Sequence, residues 1–184
     1  MEIAYFGYAG NPSHGGHLQV MEWLAKRYDH VIVGLSAAHA FGKQMAPMKF
    51  RVELAKALLS QSPAMNIEIS DIEDRLLGDG PVYSYTVLRE LRKIHPDCAI
   101  HLAVGPDNAD PKNWNRFHNS EKILSEFGRV VAPDMGSQKR STNIRAMLAM
   151  GASCDELTPF TTRPVARLLT DNPSIYRVLT PTLP

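Results

Sequence analysis

The stretch FGYAGNPSHGGHL, residues 6–18, holds more chemically distinctive residues than a turn requires. Glycines, a proline and the histidines His14 and His17, three positions apart, separate an apolar strand-like run from an apolar helix-like run. Glycine in the first turn of a helix costs up to about 1 kcal/mol relative to alanine, so Gly15 and Gly16 indicate that a ligand approaches the backbone there. A helix N-terminus presents N–H groups and a partial positive charge. The stretch therefore predicts a phosphate site that includes both histidines.

Two other interpretations of this stretch stay open at the level of the sequence. One histidine can cap the helix while the other lies on a solvated face. Alternatively, the HxxH pair can hold zinc, although no third ligand is evident in a recognisable place. Asn11 is expected to cap the helix, with Pro12 as its first residue, because this pairing suits both residue types.

A second candidate anion site begins at Ser141. Ser141 and Thr142 suit the start of a helix that is expected to end at Gly151. This gives a second helix N-terminus that can hold an anion, and Arg145 follows one turn later. The alternative role for Arg145 is a surface salt bridge.

Two residues in the middle of the chain could bind the organic part of a nucleotide. Asp107 has Gly105 beside it, just after an apolar strand-like run, and its carboxylate could accept hydrogen bonds from a ribose. Its alternative role is that of a turn residue. Trp114 lies in the polar segment DPKNWNR, where an indole could stack on a flat ring. The alternative for Trp114 is a place in the core, where aromatic residues are common.

Alternating strands and helices must position these residues. The predicted strands cover residues 3–9, 30–35, 66–70, 99–104 and 129–132. Helical periodicity follows the first three strands, and the third of these helices is expected to stop before Pro96. This alternation predicts an α/β fold, a Rossmann-like doubly wound parallel sheet with helices on both faces. In such sheets ligands bind at the carboxyl ends of the strands.

The length, charge and composition of the chain limit the functions that it can have. The 184 residues predict a single domain, 1–184, with a small C-terminal helical portion from about residue 141. A formal net charge of +1 gives no basic surface for a long polyanion, so no nucleic-acid partner is expected. Cys98 and Cys154 are far apart in the chain and are expected to be reduced thiols. No targeting or membrane-spanning segment is evident, so we expect a cytoplasmic protein without a membrane partner.

Five stretches, in order, resemble a known enzyme family. FGYAGNPSHGGH resembles the HxGH signature of the nucleotidyltransferase superfamily. The later stretches resemble blocks of the nicotinate-nucleotide adenylyltransferases, of which the nicotinamide-nucleotide enzymes are close kin. These stretches are PVYSYTVLREL (81–91), LAVGPDN (102–108) with Trp114 after it, STNIRAMLAMGASCDELTP (141–159) and PVARLLTDNPSIYR (164–177). The resemblance covers nearly the whole chain.

The resemblance implies a nucleotidyltransferase that moves the adenylyl group of ATP to nicotinate mononucleotide, or to nicotinamide mononucleotide. The products would be deamido-NAD, or NAD, and pyrophosphate, as in NAD biosynthesis. Mg²⁺ is expected to accompany ATP, because the sequence shows no dedicated carboxylate cage. The implied site residues are His14, His17 and Arg145 for catalysis; Gly7, Gly16, Lys43, Gly105, Asp107, Ser141 and Thr142 for ATP; and Tyr83, Ser84 and Trp114 for the mononucleotide.

The chain departs from the family pattern at a few positions. Ala9 and Gly10 stand where the family has Thr or Ser and then Phe, and Arg140 replaces a serine. Two alternatives therefore stay open. One is another HxGH adenylyl- or cytidylyltransferase, such as pantetheine-phosphate adenylyltransferase, and the other is a non-catalytic nucleotide-binding relative. Nicotinate is the expected base, because the loops 81–84 and 113–116 contain no acidic residue that would repel its carboxylate.

Overall fold

The computed structural model describes residues 1–38, 44–78, 80–134 and 140–177. The chain forms two compact units that alternate along the sequence. The first unit comprises Met1–Tyr8, Val20–Gly42 and Ala64–Asp134, and the second comprises Ala9–Gln19, Lys43–Pro63 and Met135–Pro184. The helical portion after residue 141 thus belongs to the same unit as the histidine-containing stretch. That the whole chain is one domain stays a prediction.

The first unit is built on a five-stranded parallel sheet. The strands are β1 (Glu2–Tyr8), β2 (His30–Leu35), β3 (Ile67–Ser70), β4 (Ala99–Val104) and β5 (Arg129–Val131). Their order in the sheet is β3-β2-β1-β4-β5, so the chain runs outward from β1 to one edge and then returns to build the other side. The predicted doubly wound parallel α/β architecture is confirmed, and each predicted strand lies within one residue of the observed bounds.

Eleven helices complete the described part of the chain. In chain order they are α1 (Gly15–Ala25), α2 (Met48–Leu59), α3 (Ile72–Arg75), α4 (Ser84–Ile94), α5 (Pro106–Ala109), α6 (Pro111–Trp114), α7 (Ser120–Glu126), α8 (Ser141–Ala149), α9 (Cys154–Leu157), α10 (Arg163–Asp171) and α11 (Ser174–Arg177). The closing segment forms two helices because Pro173 cannot donate the backbone hydrogen bond that would continue α10. Among the described residues, no helix has the length and apolar character needed to cross a bilayer.

Burial explains why these sequences form these elements. The central strands β1 and β2 read as nearly continuous apolar runs, which is typical of parallel strands covered on both faces. In the first unit, side chains from the strands and from α4 and α7 form one apolar core. In the second unit, α10 packs against α2 and α9, and α11 packs against α8. Each unit therefore supplies a packed scaffold for its own loops.

One buried polar contact ties three elements of the first unit together. The hydroxyl of Tyr5, in β1, donates a 2.6 Å hydrogen bond to Oε1 of Glu73 in α3. Oε2 of Glu73 accepts the N–H of Ala37, just after β2, at 3.2 Å. Burial, and secondly the Glu73 carboxylate, raise the pKa of Tyr5 well above its ordinary value. Gly34, on β2, provides the space that the Tyr5 ring occupies: a Cβ at this position would lie 2.8 Å from Cε2 of Tyr5 and closer still to its hydroxyl oxygen.

We therefore expect Gly34→Ala to lower the free energy of unfolding by about 1–3 kcal/mol, the usual cost of overpacking a core. Urea denaturation of the purified variant measures this change. Gly80→Ala is the matched control, because a Cβ at position 80 would meet nothing within 4 Å. Equal stability of the two variants would contradict the close packing of Tyr5 on Gly34.

Candidate active site

The two histidines form the start of α1. The helix begins at Gly15, so the expectation that Asn11 and Pro12 begin it was wrong. Nδ1 of His14 accepts the N–H of Gly16 at 3.1 Å, and Nδ1 of His17 accepts the N–H of His14 at 3.2 Å. This reciprocal pair does what a Ser–Glu capping box does at other helices, with imidazole nitrogens as the acceptors. The predicted position of both glycines in the first turn is confirmed.

These hydrogen bonds determine the protonation of both rings. A ring nitrogen that accepts an N–H carries no proton, so each neutral imidazole has its proton on Nε2. The rings of His14 and His17 are stacked, with centroids 3.6 Å apart and planes 29° apart. Two Nε2–H donors therefore lie close together at the start of one helix.

The environment favours the neutral form of His17. Burial, and secondly the positive charge that His14 can carry, lower the pKa of His17 well below its ordinary value of 6.5. At neutral pH His17 is thus an N–H donor without a full charge. Such a donor can bind a phosphate oxygen and needs no proton uptake beforehand.

Side chains from distant segments of the second unit hold the carbonyl groups of the loop 9–14. The hydrogen bonds run from Arg51 Nη1 to Ala9 O (2.8 Å), Arg145 Nη1 to Asn11 O (2.6 Å), Ser141 Oγ to Pro12 O (2.8 Å) and Thr161 Oγ1 to Ser13 O (3.2 Å). In a trans peptide the C=O and N–H groups point in opposite directions. Binding the carbonyls of Ala9, Pro12 and Ser13 from one side therefore turns the N–H groups of Gly10, Ser13 and His14 to the other side. The Asn11 carbonyl precedes Pro12, which has no N–H.

Asn11 also contributes to the shape of the loop, although it does not cap a helix. It is buried, its Oδ1 accepts the N–H of Ala46 at 3.0 Å and its Nδ2 donates to Gln44 O at 3.3 Å. The Asn11–Pro12 peptide bond is cis. The asparagine thus links the loop to the segment before α2.

The structure brings the predicted residues of α8 to this loop. Ser141 is the first residue of α8, and its hydroxyl binds the Pro12 carbonyl; it does not cap its own helix. Arg145 binds the Asn11 carbonyl and, through Nη2, the hydroxyl of Thr142 at 3.2 Å. Burial lowers the pKa of Arg145, and Tyr176 acts in the opposite direction. The guanidinium remains charged at neutral pH.

Sequence reasoning missed two residues that hold this loop. Arg51 is only 2% exposed, and its Nε also donates to Ala46 O at 2.8 Å. It could have been noticed, since it occupies the apolar stripe of α2 with Leu54, Ala55 and Leu58. Thr161 lies in the segment between α9 and α10 and gives no such signal.

Predicted nucleotide-binding residues of the first unit lie on two short helices after β4. Gly105 precedes α5, and Asp107 is exposed on that helix. Asn113, on α6, donates through Nδ2 to the backbone oxygen of Asp107 at 2.8 Å. The two short helices are therefore joined by a side-chain contact that the sequence did not predict.

Trp114 is a core residue in this structure. It is 6% exposed, its ring stacks on Phe117 at 5.0 Å, and the Arg129 guanidinium carbon lies 4.3 Å from its ring centroid. Of the two interpretations offered by the sequence, a place in the core describes how Trp114 packs. Stacking of its ring on a bound nucleotide stays a prediction.

The remaining predicted residues are found in several places. Ser84 is the first residue of α4, and the partly exposed ring of Tyr83 stacks on His118 at 4.6 Å. Gly7 lies on β1 beside the ring of Tyr5. Lys43 lies outside the described residues. Within the described ranges, no three His, Cys, Asp or Glu side chains are grouped so that they could hold a metal ion.

The lowered pKa of His17 makes the stability of the protein depend on pH. Below pH 6.5 an unfolded chain binds a proton at this histidine while the folded chain does not, so the free energy of unfolding falls as the pH falls. Unfolding by urea at pH 7.5 and 5.5 measures this slope. In His17→Asn, Oδ1 can still accept the N–H of His14, but the side chain does not titrate, so a shallower slope is expected. A slope equal to that of the wild type would contradict the lowered pKa of His17 in the folded protein.

Comparison with known proteins places the chain in a family. The family model described as cytidylyltransferase-like matches residues 9–150. A protein of Anaeromyxobacter dehalogenans (strain 2CP-C), named probable nicotinate-nucleotide adenylyltransferase, is 31% identical, covering 86% of this chain and 89% of the relative. A protein of Myxococcus xanthus (strain DK1622) with the same name is 29% identical, covering 86% of this chain and 88% of the relative.

Solved structures agree with this placement. The crystal structure of a Vibrio parahaemolyticus protein, named putative nicotinate-nucleotide adenylyltransferase, is 30% identical and has a TM-score of 0.80, over 96% of each chain. The Plasmodium falciparum nicotinic acid mononucleotide adenylyltransferase complexed with NaAD has a TM-score of 0.78 over 95% of this chain and 98% of that chain. At 13% identity the second comparison shows a shared fold alone. The chain belongs to the cytidylyltransferase-like family and, within it, to the nicotinate-nucleotide adenylyltransferases.

Proposed function

We propose that this protein transfers the adenylyl group of ATP to nicotinate mononucleotide, giving deamido-NAD and pyrophosphate. The observation that carries the proposal is the pair of stacked Nε2–H donors, His14 and His17, at the start of α1. Arg145, bound to the same loop, adds a positive charge. The curated relatives named for this activity support the choice of substrates.

The reaction needs positioning and charge stabilisation more than proton transfer. An oxygen of the mononucleotide 5′-phosphate attacks the α-phosphorus of ATP and forms the new P–O–P bond. The bond from the α-phosphorus to the bridging oxygen breaks, and pyrophosphate leaves with that electron pair. A phosphate monoester is ionised at neutral pH, so no general base is required. The histidine N–H groups would bind oxygens of the α- and β-phosphates, where negative charge increases in the transition state.

The other expected ligands follow from this assignment. Gly16, Ser141 and Thr142 would contribute to the phosphate site, together with Lys43, while Gly7, Gly105 and Asp107 would bind the rest of ATP. Tyr83, Ser84 and Trp114 would bind the mononucleotide. Mg²⁺ would be held chiefly by ATP phosphate oxygens, since this ion needs few protein carboxylates when a polyphosphate is present. Its chemical contribution would be to neutralise phosphate charge.

The proposed reaction agrees with an expected location in the cytoplasm and requires no nucleic-acid partner. Its substrates are small molecules of the cytoplasm, where we expect the protein to act. A formal net charge of +1 offers no electrostatic support for binding DNA or RNA.

The substrate assignment is tested by comparing kcat/KM for nicotinate and nicotinamide mononucleotides, with pyrophosphate release as the assay. We expect a clear preference for nicotinate, because backbone N–H groups of the loop 81–84, at the start of α4, can bind a carboxylate, and neither this loop nor the loop 113–116 contains an acidic residue that would repel it. The backbone N–H groups expected to contribute from the loop 113–116 donate instead to the carbonyls of Asp110, Pro111 and Asn113. Pantetheine phosphate is included in the panel of acceptors. Turnover with pantetheine phosphate alone, or with none of the acceptors, would overturn the proposal.

The role of the histidine N–H is tested with His17→Asn and His17→Ala. Both remove Nε2–H, so both are expected to lose about 10²–10³ in kcat, the usual effect of removing one donor from a charge-stabilising site. Only the asparagine keeps an acceptor for the His14 N–H, so only the alanine variant should also lose stability, by about 1 kcal/mol. Full activity in His17→Asn would refute the assignment of Nε2–H as a phosphate donor.

A further inference from the structure

We infer that Thr161 is a positioning residue for His17 and acts on it through the Ser13–His14 peptide. The inference rests on the role of His17 in the proposed function. Thr161 is 8% exposed. It lies between the stretches 141–159 and 164–177 that resemble family motifs, and it is not among the expected nucleotide ligands. Among the residues that the structure describes, its side chain makes one hydrogen bond, from Oγ1 to the carbonyl of Ser13 at 3.2 Å.

A continuous set of bonds leads from Thr161 to the reacting end of the His17 ring. The Ser13 carbonyl and the His14 N–H belong to one planar peptide group, so fixing the carbonyl also fixes the direction of the N–H. That N–H donates to Nδ1 of His17 at 3.2 Å. The acceptor role of Nδ1 keeps the proton on Nε2 and orients the ring. The threonine hydroxyl thus determines how the Nε2–H of His17 is presented.

The residue before Thr161 holds the other side of His14. The backbone oxygen of Phe160 accepts the N–H of Gly15 at 3.0 Å. The peptides on both sides of His14 are therefore bound by two adjacent residues of the segment between α9 and α10. Because the contact of Phe160 is made by its backbone, a side-chain change at position 161 removes one of the two contacts and leaves the other.

The neighbouring Thr162 provides a matched comparison. It precedes α10, and its buried hydroxyl makes no hydrogen bond with any part of the chain that the structure describes. Thr161→Val and Thr162→Val remove the same hydroxyl group at adjacent positions and keep the side-chain shape. Thr161→Ser restores the hydroxyl without the methyl group.

The experiment combines kinetics with ring ¹⁵N NMR of the ligand-free protein above pH 7.5. In the wild type the His17 shifts should show a proton on Nε2 and none on Nδ1. In Thr161→Val the two ring shifts should move toward each other as the tautomers mix. Its kcat should fall about tenfold with little change in KM, as expected for one hydrogen bond that acts on the transition state. Thr161→Ser and Thr162→Val should resemble the wild type in both measurements.

Unchanged His17 ring shifts in Thr161→Val would overturn the inference, even if kcat fell, because the hydroxyl would then have a purely structural role. Failure of Thr161→Ser to restore the shifts would overturn it as well. The proposed function fails separately, if the wild-type protein shows no turnover with any acceptor. The NMR measurement needs no substrate, so it tests the positioning role in that case too.

Discussion

The loop between β1 and α1 contains backbone carbonyl groups that no helix or strand can satisfy. Asn11 and Ser13 are almost completely buried, so water cannot solvate this part of the loop. A buried carbonyl without a partner destabilises the folded state by an amount comparable to a lost hydrogen bond. The second unit meets this requirement with side chains of α2, α8 and the segment before α10. The fold of that unit is thus the means by which one short loop keeps its shape.

The same requirement explains the unusual cap of α1. Serine or aspartate is the common choice for a helix start. An ionised aspartate has no proton to donate to a ligand, and a serine hydroxyl must accept the backbone N–H and donate to the ligand through the same oxygen. An imidazole has two nitrogens, so His14 and His17 can each accept a backbone N–H with Nδ1 and still carry a proton on Nε2. Different atoms of one side chain can therefore serve local folding and the proposed binding of phosphate. Any change in the backbone of the loop alters both.

Much of the architecture was predictable because it depends on local sequence patterns. The β-branched and apolar runs gave the strands within one residue, and the helical stripes gave α1, α2, α4 and α8. The start of α1 was misjudged, since Asn–Pro is a common helix start and nothing local shows that Asn11 binds the segment before α2. Thr161 could not have been found, because its contact with Ser13 joins residues far apart in the chain. The packing of Trp114 was hard to predict for another reason. Its neighbours in the sequence are polar, although the ring itself is buried in the core.

Because the loop 9–14 is held by hydrogen bonds to its backbone carbonyl groups, some of its side chains can be substituted without loss of these contacts. Arg51 binds the backbone oxygen of residue 9, an atom that every amino acid has. The side chain at position 9 can therefore be exchanged without loss of this contact, and alanine is sufficient there. Gly10 has a φ of 58°, a conformation that glycine adopts with little strain. Ala9 and Gly10, two of the positions at which this chain departs from the family pattern, thus contribute through their backbone, whereas the residues at positions 51, 141, 145 and 161 contribute through side-chain donors.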